Sequence, residues 1–274
     1  MKIGLIAVYN DSDILRACFD YHLNNGVDAL AVVEHQTTEE ARSIINEYKT
    51  DILYIDRIED TTHYQEKWLK NLRQKLITKL KLNQSDWFIH FDSDEFWSGL
   101  QQLDEISADY IAVKTKPWIN YMPYSTINHS IAKVKYYNID PRHSYNLNLR
   151  KVATRAISGL NTTRGNHHAT INNSETWLEP RQQVNTEIII DHFPIRTLNQ
   201  FLKKVDRGGI VTKHFKPRHD DDRRSIHWRS WIHIEDKKRF YLMNCSHIKD
   251  AESLKGKEID DDMANRLKRL ASYE

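Results

Sequence analysis

Ser85 to Trp97 reads S-D-W-F-I-H-F-D-S-D-E-F-W, and its two halves have opposite chemistry. Trp87 to Phe91 has the composition of a short buried strand. Three acids, Asp92, Asp94 and Glu95, follow it within four residues. In an extended or gently turning backbone side chains repeat every two residues, which aims Asp92 and Asp94 the same way. Two carboxylates converging at the end of a buried strand are costly unless positive charge stands between them. A divalent cation meets that need, and its remaining positions can go to ligand phosphates. The alternative is a strand that ends in a solvated acidic turn.

Upstream, the pattern alternates. Ile3 to Val8 is a continuous apolar run, as expected of a strand covered on both faces, and Tyr9-Asn10-Asp11 ends it. A helix capped by Asp11 or Ser12 follows, with Ile14, Leu15, Cys18, Phe19, His22 and Leu23 on one face and a stop near Gly26. His22 reads as a packing residue and Cys18 as a buried thiol. Ala29 to Val33 is a second strand closed by Glu34-His35. Thr37 to Glu40 fits a capping box for a second helix. Ile52 to Ile55 is a third strand, ending in Asp56-Arg57. The longest helix, His63 to Leu82, steps Tyr64, Trp68, Leu72, Leu76 and Leu80 along one face. Its six lysines and arginines form a solvated face, from which Arg73 is the one to reach toward a diphosphate.

Strand, helix, strand, helix, strand, helix, strand is the order of an α/β fold, an open, mostly parallel twisted sheet with flanking helices. Such sheets bind ligands beyond the carboxyl ends of their strands. Tyr9, Asn10, Glu34, Asp56, Asp92, Asp94 and Glu95 fall there. No G-x-G-x-x-G follows the first strand and no G-x-x-x-x-G-K-[ST] occurs, which disfavours dinucleotide and P-loop chemistry.

Downstream the alternation fades. Tyr110 to Val113 is a fifth strand. Pro117 to Tyr124, aromatic and punctuated by proline, reads as a loop or lid. Ala132 to Tyr137 and Leu149 to Thr154 read as strands, Thr163 to His168 as a polar turn. Glu187 to Ile190 is a buried-type strand ending in Asp191-His192. A helix from Thr197 to Asp206 stops at Gly208-Gly209. The nucleotide-binding half is thus about residues 1–116 and the acceptor half 117–210. Residues 211–274 form a charged, mainly helical extension.

Lys plus Arg number 40 against 38 for Asp plus Glu, a net +2, which argues against a dedicated nucleic-acid binder. No apolar span reaches the length of a membrane helix, and Met1 runs directly into a core strand with no signal segment. The expected location is cytoplasmic, with the basic C-terminal helices compatible with peripheral contact on the cytoplasmic face of a membrane.

W-F-I-H-F-D-S-D-E-F-W, together with G-L-I-A-V-Y-N-D-S-D-I-L-R-A-C-F-D-Y-H-L-N-N-G-V-D near the start, resembles the family-2-like glycosyltransferases of the GT-A fold. The resemblance is to the bacterial branch similar to glycosyltransferase family 92 proteins. It rests on Asn10, Asp13, Tyr21-His22, Gly26-Val27-Asp28, Asp92 to Phe96, Gly165 to His167, and His192 to Arg196 with Phe201 and Lys204. It spans residues 1 to 210.

The resemblance implies transfer of a sugar from a nucleotide sugar, usually a UDP-sugar, to an acceptor hydroxyl on a glycan, a lipid-linked molecule or a small molecule. An inverting course is expected, with a retaining one as alternative. Asp94 would bind Mn²⁺ or Mg²⁺ directly, and Asp92 would touch the metal or the ribose. His192 or His167 would complete the metal site, with His192 favoured at a strand end. Tyr9 with Asn10 would meet the base, and Glu34 and Asp56 the base or ribose. Asp191, His167 and Glu95 are the candidates for the general base. Trp118, Tyr121 and Tyr124 would form an acceptor platform or fill the core. Two other classes compete: a metal-dependent phosphoesterase, which needs no acceptor, and a non-catalytic carbohydrate-binding module, which leaves the D-S-D-E cluster unexplained.

Overall fold

A computed structural model describes residues 1–9, 11–59, 65–123, 136–138, 150–171 and 178–213 of the chain. Asn10, Tyr124 and the expected helices of the C-terminal extension lie outside the described residues. The chain divides into two compact units. The first is Met1–Asp60, Tyr64–Asn120 and Asp140–His192, and the second is Thr61–His63, Tyr121–Ile139 and Phe193–Glu274.

The first unit opens with the expected alternation: β1 (Lys2–Val8), α1 (Ser12–Asn24), β2 (Ala29–His35), α2 (Glu39–Glu47), β3 (Ile52–Ile58), α3 (Gln65–Leu80) and β4 (Trp87–His90). It continues with β5 (Glu95–Ser98), β6 (Ala112–Lys114) and the start of β7 (Ile119–Pro123). The end of β7 and β8 (Tyr136–Asn138) belong to the second unit. The first unit resumes with β9 (Val152–Arg155), β10 (Leu160–Thr162), β11 (Ala169–Ile171), β12 (Gln183–Asn185) and β13 (Ile189–His192).

Seven strands form the main sheet in the order β12-β6-β9-β4-β1-β2-β3. Strand β9 runs antiparallel to both its neighbours, β4 and β6, while the remaining neighbours pair in parallel. The open, mostly parallel α/β sheet expected from the sequence is therefore the architecture observed. Every residue of β2 is buried, as its unbroken apolar run demands of a strand covered on both faces.

Each face has its own helix. Trp68, Leu69, Leu72 and Leu76 of α3 pack on Ile3, Leu5, Ala31, Val33 and Phe88. Each such side chain contributes about 1.5–3 kcal/mol on burial, which holds α3 against the sheet. On the opposite face Gly4 admits the Phe91 ring so closely that a Cβ at residue 4 would lie 2.7 Å from it. Phe91 stacks on His22 of α1, ring centroids 3.8 Å apart. His22 is the packing residue expected. Its Nδ1–H donates to the Cys18 carbonyl (2.8 Å), its Nε2 accepts the Trp97 amide (3.3 Å), and burial lowers its pKa to about 4.

A local signal accounts for the start of α2, whereas Asp11, expected as a cap, precedes α1 without a side-chain capping bond. The cap of α2 is Thr38, which accepts from the Ala41 amide, one residue later than the expected box of Thr37 to Glu40; the Thr37 hydroxyl instead donates to the Val8 carbonyl, tying α2 to the end of β1. The short strands β5, β10, β11 and β12 were not expected from the sequence, and two further elements differ from its reading for a local reason. Pro117 to Tyr124 was expected as a loop or lid, yet Ile119–Pro123 is strand β7, because the prolines stand at its margins and leave the interior amides free to pair. In the second unit, helix α4 (Leu198–Lys213) runs through Gly208-Gly209 and across the expected boundary at residue 210. Glycine costs a helix about 1 kcal/mol but, unlike proline, removes no hydrogen bond.

Also in the second unit, Tyr121 is buried and stacks on Phe193 at 4.8 Å, so it serves as core there. Among the described residues no helix is long and apolar enough to cross a membrane.

Candidate functional site

The backbone does not stay extended after β4. The Glu95 amide donates to the Asp92 carbonyl (3.0 Å), and the Asp92 amide donates to Glu95 Oε2 (3.1 Å). This reciprocal pair makes Asp92 to Glu95 a tight turn, so the period-two argument that aimed Asp92 and Asp94 together does not hold. The two aspartates have separate partners.

Asp92 faces inward. Its Oδ1 accepts from Gln65 Nε2 at the start of α3, and its Oδ2 accepts from Lys151 Nζ, both at 2.9 Å. Lys151 Nζ also lies 2.9 Å from Glu95 Oε1, and neither Lys151 nor Glu95 has any side-chain exposure. The positive charge expected between two carboxylates is present, but the chain itself supplies it, and it stands between Asp92 and Glu95. Burial opposes the Lys151 charge, yet Asp92 and Glu95 hold its pKa above the usual lysine range. Burial likewise works against ionised Asp92, and Lys151 overrides it to keep that carboxyl below its usual range. Burial dominates at Glu95 and pushes it up to about 8 against the pull of Lys151. Glu95 is thereby spent on the turn and on Lys151, which corrects its candidacy as general base.

Asp94 faces a second group. Its Oδ1 lies 3.7 Å from His192 Nε2, at the end of β13. Strand β13 pairs antiparallel with β5, His192 opposite Glu95, and this pairing carries the histidine to the acidic turn. The Trp118 ring lies 4.6 Å from that of His192 and 5.4 Å from that of His167. The Lys151 ammonium stands 5.4 Å from the Trp118 centroid.

His167 follows the polar turn between β10 and β11. Gly165 adopts a positive φ of 72° there, and a Cβ at that position would come within 2.8 Å of His167 Nε2. The His167 Nδ1–H donates to the Arg150 carbonyl (2.8 Å), which assigns the acceptor lone pair to Nε2. Burial, reinforced by Lys151, lowers its pKa to about 4, so the ring is neutral near pH 7.

Asp191 does not share this arrangement. Strand alternation groups it with exposed Ile189, on the face opposite buried Ile190 and half-buried His192. Asp191 and His192 therefore point to opposite faces of β13.

The residues expected around a nucleotide are scattered more widely. Tyr9 follows β1, its ring 5.8 Å from that of His35. Glu34 is buried near the carboxyl end of β2. Its Oε2 pairs with Arg42 (3.1 Å) and Arg57 (3.3 Å), and its Oε1 is buried with no hydrogen-bond partner among the described residues. Asp56 lies inside β3, which continues to Ile58, and pairs with Lys75 at 2.7 Å.

Arg73 is corrected outright. It is buried, donating to Thr154 Oγ1, to His90 Nε2 (2.9 Å) and to the Leu160 carbonyl (2.7 Å), with its guanidinium over the Phe88 ring. It joins α3 to β4, β9 and β10 and faces no diphosphate. Arg73→Met is expected to lower unfolding free energy by about 2–4 kcal/mol in urea denaturation, by stranding buried acceptors. Nucleotide affinity of the folded variant should stay within about twofold, since the guanidinium's partners all lie within the chain.

Two participants escaped the sequence reading. Lys151 opens a short run that reads only as a strand, and Gln65 lies in a helix read for its apolar face. Neither carries a local signal, because each is recruited by pairing across many residues of sequence.

Among the described residues, no group of three or more histidines, cysteines or acids is arranged to hold a metal by itself. Asp94 and His192 offer two donor atoms 3.7 Å apart. Adjacent ligands on Mg²⁺ at about 2.1 Å lie roughly 3 Å apart, so a small inward shift of either side chain fits a cation. Such a two-ligand site suits a metal whose other positions are filled by water or phosphate oxygens.

No family model and no curated protein matches the chain. Among solved structures it is similar to a 4-diphosphocytidyl-2C-methyl-D-erythritol synthase, at 11% identity over 57% of this chain and 75% of that one, TM-score 0.33. It is also similar to HddC from Yersinia pseudotuberculosis, at 10% identity over 74% of this chain and 97% of that one, TM-score 0.39. A structure of HddC complexed with GMP-PN gives 11% identity over 70% and 89%, TM-score 0.32. At these identities and TM-scores neither a site nor an activity carries over to this chain.

Proposed function

We propose that the protein is a divalent-metal-dependent glycosyltransferase that moves a sugar from a nucleotide sugar, a UDP-sugar being the expected donor, to an acceptor hydroxyl. The observation that carries this reading is the Asp94–His192 pair, 3.7 Å apart where β4 turns into β5 and beside Trp118. A pair with only two protein ligands suits a metal that must also hold a diphosphate. The family resemblance of the D-S-D-E-F and H-F-P-x-R patches adds support. When bound, the metal would neutralise the diphosphate and stabilise charge on the departing nucleotide.

The chain's own groups divide the remaining work. Tyr9 and Glu34 stand at neighbouring strand ends, where a nucleotide base would lie, and the partnerless Glu34 Oε1 is an acceptor for a base or ribose donor. The Trp118 indole N–H is also buried without a partner among the described residues, and it offers a donor to a sugar or phosphate oxygen. His167, neutral and with Nε2 as its acceptor, is the proposed general base. It would take the acceptor hydroxyl proton as the oxygen attacks the sugar carbon and the bond to the diphosphate breaks. Asp92 and Glu95 hold the turn in shape. A lipid-linked acceptor with peripheral membrane contact through the C-terminal extension accords with this reading.

The direct test is nucleotide release from a panel of UDP-, GDP- and CMP-sugars with candidate glycan acceptors. Metal-dependent release of UDP, stopped by EDTA and restored by excess Mn²⁺, is the expected result. Hydrolysis of simple phosphate esters without turnover of any nucleotide sugar would instead favour a phosphoesterase.

A further inference from the structure

We infer that the cavity between α3 and the β9–β10 connection binds a small oxyanion, free phosphate or the phosphate of a monosaccharide, with Arg73 in its floor and Lys70 in its wall. The inference goes beyond the transferase reading and does not rest on it. Lys70, Arg73, Gln74 and Ile77 recur at helical spacing and turn one stripe of α3 toward Ile157 to Asn161. Together these segments line a cavity of about 260 Å³. Arg73 and Leu160 are buried at its floor, while Asn71, Gln74 and Ser158 are exposed at its rim. The Ser158 hydroxyl donates to Gln74 Oε1 at 3.4 Å, joining the connection to the helix.

This cavity belongs to the opposite end of β4 from the acidic turn. Arg155, the last residue of β9, pairs opposite Trp87, the first of β4, and Ile157 to Asn161 follow directly. Its size falls below the roughly 300–1,000 Å³ of sites for drug-sized ligands, which suits a phosphate or a monosaccharide phosphate better than a whole nucleotide sugar.

The charge of Arg73 carries the inference. Four of the five guanidinium N–H groups donate to Thr154 Oγ1, His90 Nε2 and the Arg155 and Leu160 carbonyls. All of these acceptors are neutral, since burial and the nearby Arg73 and Lys151 charges hold the His90 pKa far below its usual value. The fifth group, Nε–H, is buried with no acceptor among the described residues. No carboxylate among them pairs with Arg73 either, and burial lowers its pKa to about 9. A wholly buried charge without a counter-ion is costly to keep. Here it lies against an open cavity that no acid among the described residues lines. Lys70 adds a second positive group to the same wall, and the rim amides and hydroxyl can bond anion or sugar oxygens. Water in the cavity could satisfy the Nε–H, but it would leave the charge unanswered.

The experiment is calorimetric titration of the full chain with inorganic phosphate, glucose 6-phosphate and glucose, without nucleotide and in EDTA to keep metal-bound phosphate out of the signal. Saturable binding of at least one phosphate, at least about tenfold tighter than glucose, is the expected result. Equal affinity for the two phosphates identifies free phosphate as the ligand, and tighter binding of glucose 6-phosphate identifies the sugar phosphate; either supports the site. Lys70→Met should weaken binding at least about fivefold, as loss of a charged partner does. Ser158→Trp, which fills the mouth, should abolish it. Lys67→Met, exposed on the same helix and outside the cavity, should stay within about twofold. Arg73→Met should abolish binding where it folds, and where it does not, Lys70→Met and Ser158→Trp decide. Binding of neither phosphate, equal binding of glucose, or wild-type affinity in Lys70→Met or Ser158→Trp would overturn the inference.

Discussion

Asp94→Ala is expected to lower sugar transfer by about 10²–10³-fold, the cost typical of losing an electrostatic contact made as charge develops on a leaving group. Asp94 is paired with His192 at 3.7 Å and stands outside the Lys151 network that shapes the turn. Thermal stability of the variant should therefore fall by about 1 kcal/mol or less. His192→Ala should act in the same direction on Mn²⁺-dependent turnover, and the double variant should lose little more than Asp94→Ala alone, because both hold one ion. A near-additive loss in the double variant would indicate two separate functions. The measurement is steady-state turnover at saturating Mn²⁺, with urea unfolding as the control.

The largest effect on stability is expected from Lys151→Met, about 2–4 kcal/mol, because it strands buried Glu95 and takes the counter-charge from half-exposed Asp92. The loss should depend on pH. Glu95 is raised from 4.5 to about 8 in the folded protein, so the stability it contributes is complete below pH 4.5 and lost as pH rises through about 8. Asp92 is lowered from 3.8, so its contribution is present above 3.8 and lost as pH falls through its folded value. Removing Lys151 raises both carboxyls, and the unfolded chain then releases protons that the folded chain retains over a wider range. The gap between wild type and Lys151→Met should be smallest near pH 4.5, widen as Asp92 of the variant would have to ionise, and widen further as pH rises through about 8, where Glu95 ionises in the wild type but not in the variant. Chemical denaturation at pH 4.5, 6 and 8 measures it. A gap that is constant with pH would mean that packing, and not charge, is what the lysine supplies.

The fold was legible where its signals are local. The apolar runs of β1 and β2, the capping threonine of α2 and the four-residue steps of Trp68, Leu72 and Leu76 each announce an element within a dozen residues, and the parallel order follows from their alternation. The acidic turn was equally legible as a place where charge needs an answer. What answers it was not, because Lys151 lies 59 residues from Asp92 and meets it only through the antiparallel pairing of β9 with β4. The charge run of α3 misled for a related reason. Counting its lysines and arginines describes a solvated face correctly, but a one-dimensional pattern does not separate Arg73, turned inward onto Thr154 and Leu160, from neighbours turned outward. The resemblance offered His192 or His167 as the histidine near Asp94, and it is His192 whose Nε2 lies 3.7 Å from Asp94 Oδ1. The opposite facing of Asp191 was not legible, although period two in β13 determines it once the strand's bounds are known.

The most direct test of the central claim is calorimetric titration of UDP into the full chain, with and without Mn²⁺, on wild type and on Asp94→Ala. The account predicts UDP binding that requires Mn²⁺ in the wild type and is lost in the variant. UDP binding of equal strength without metal, or retained in full by Asp94→Ala, would contradict it.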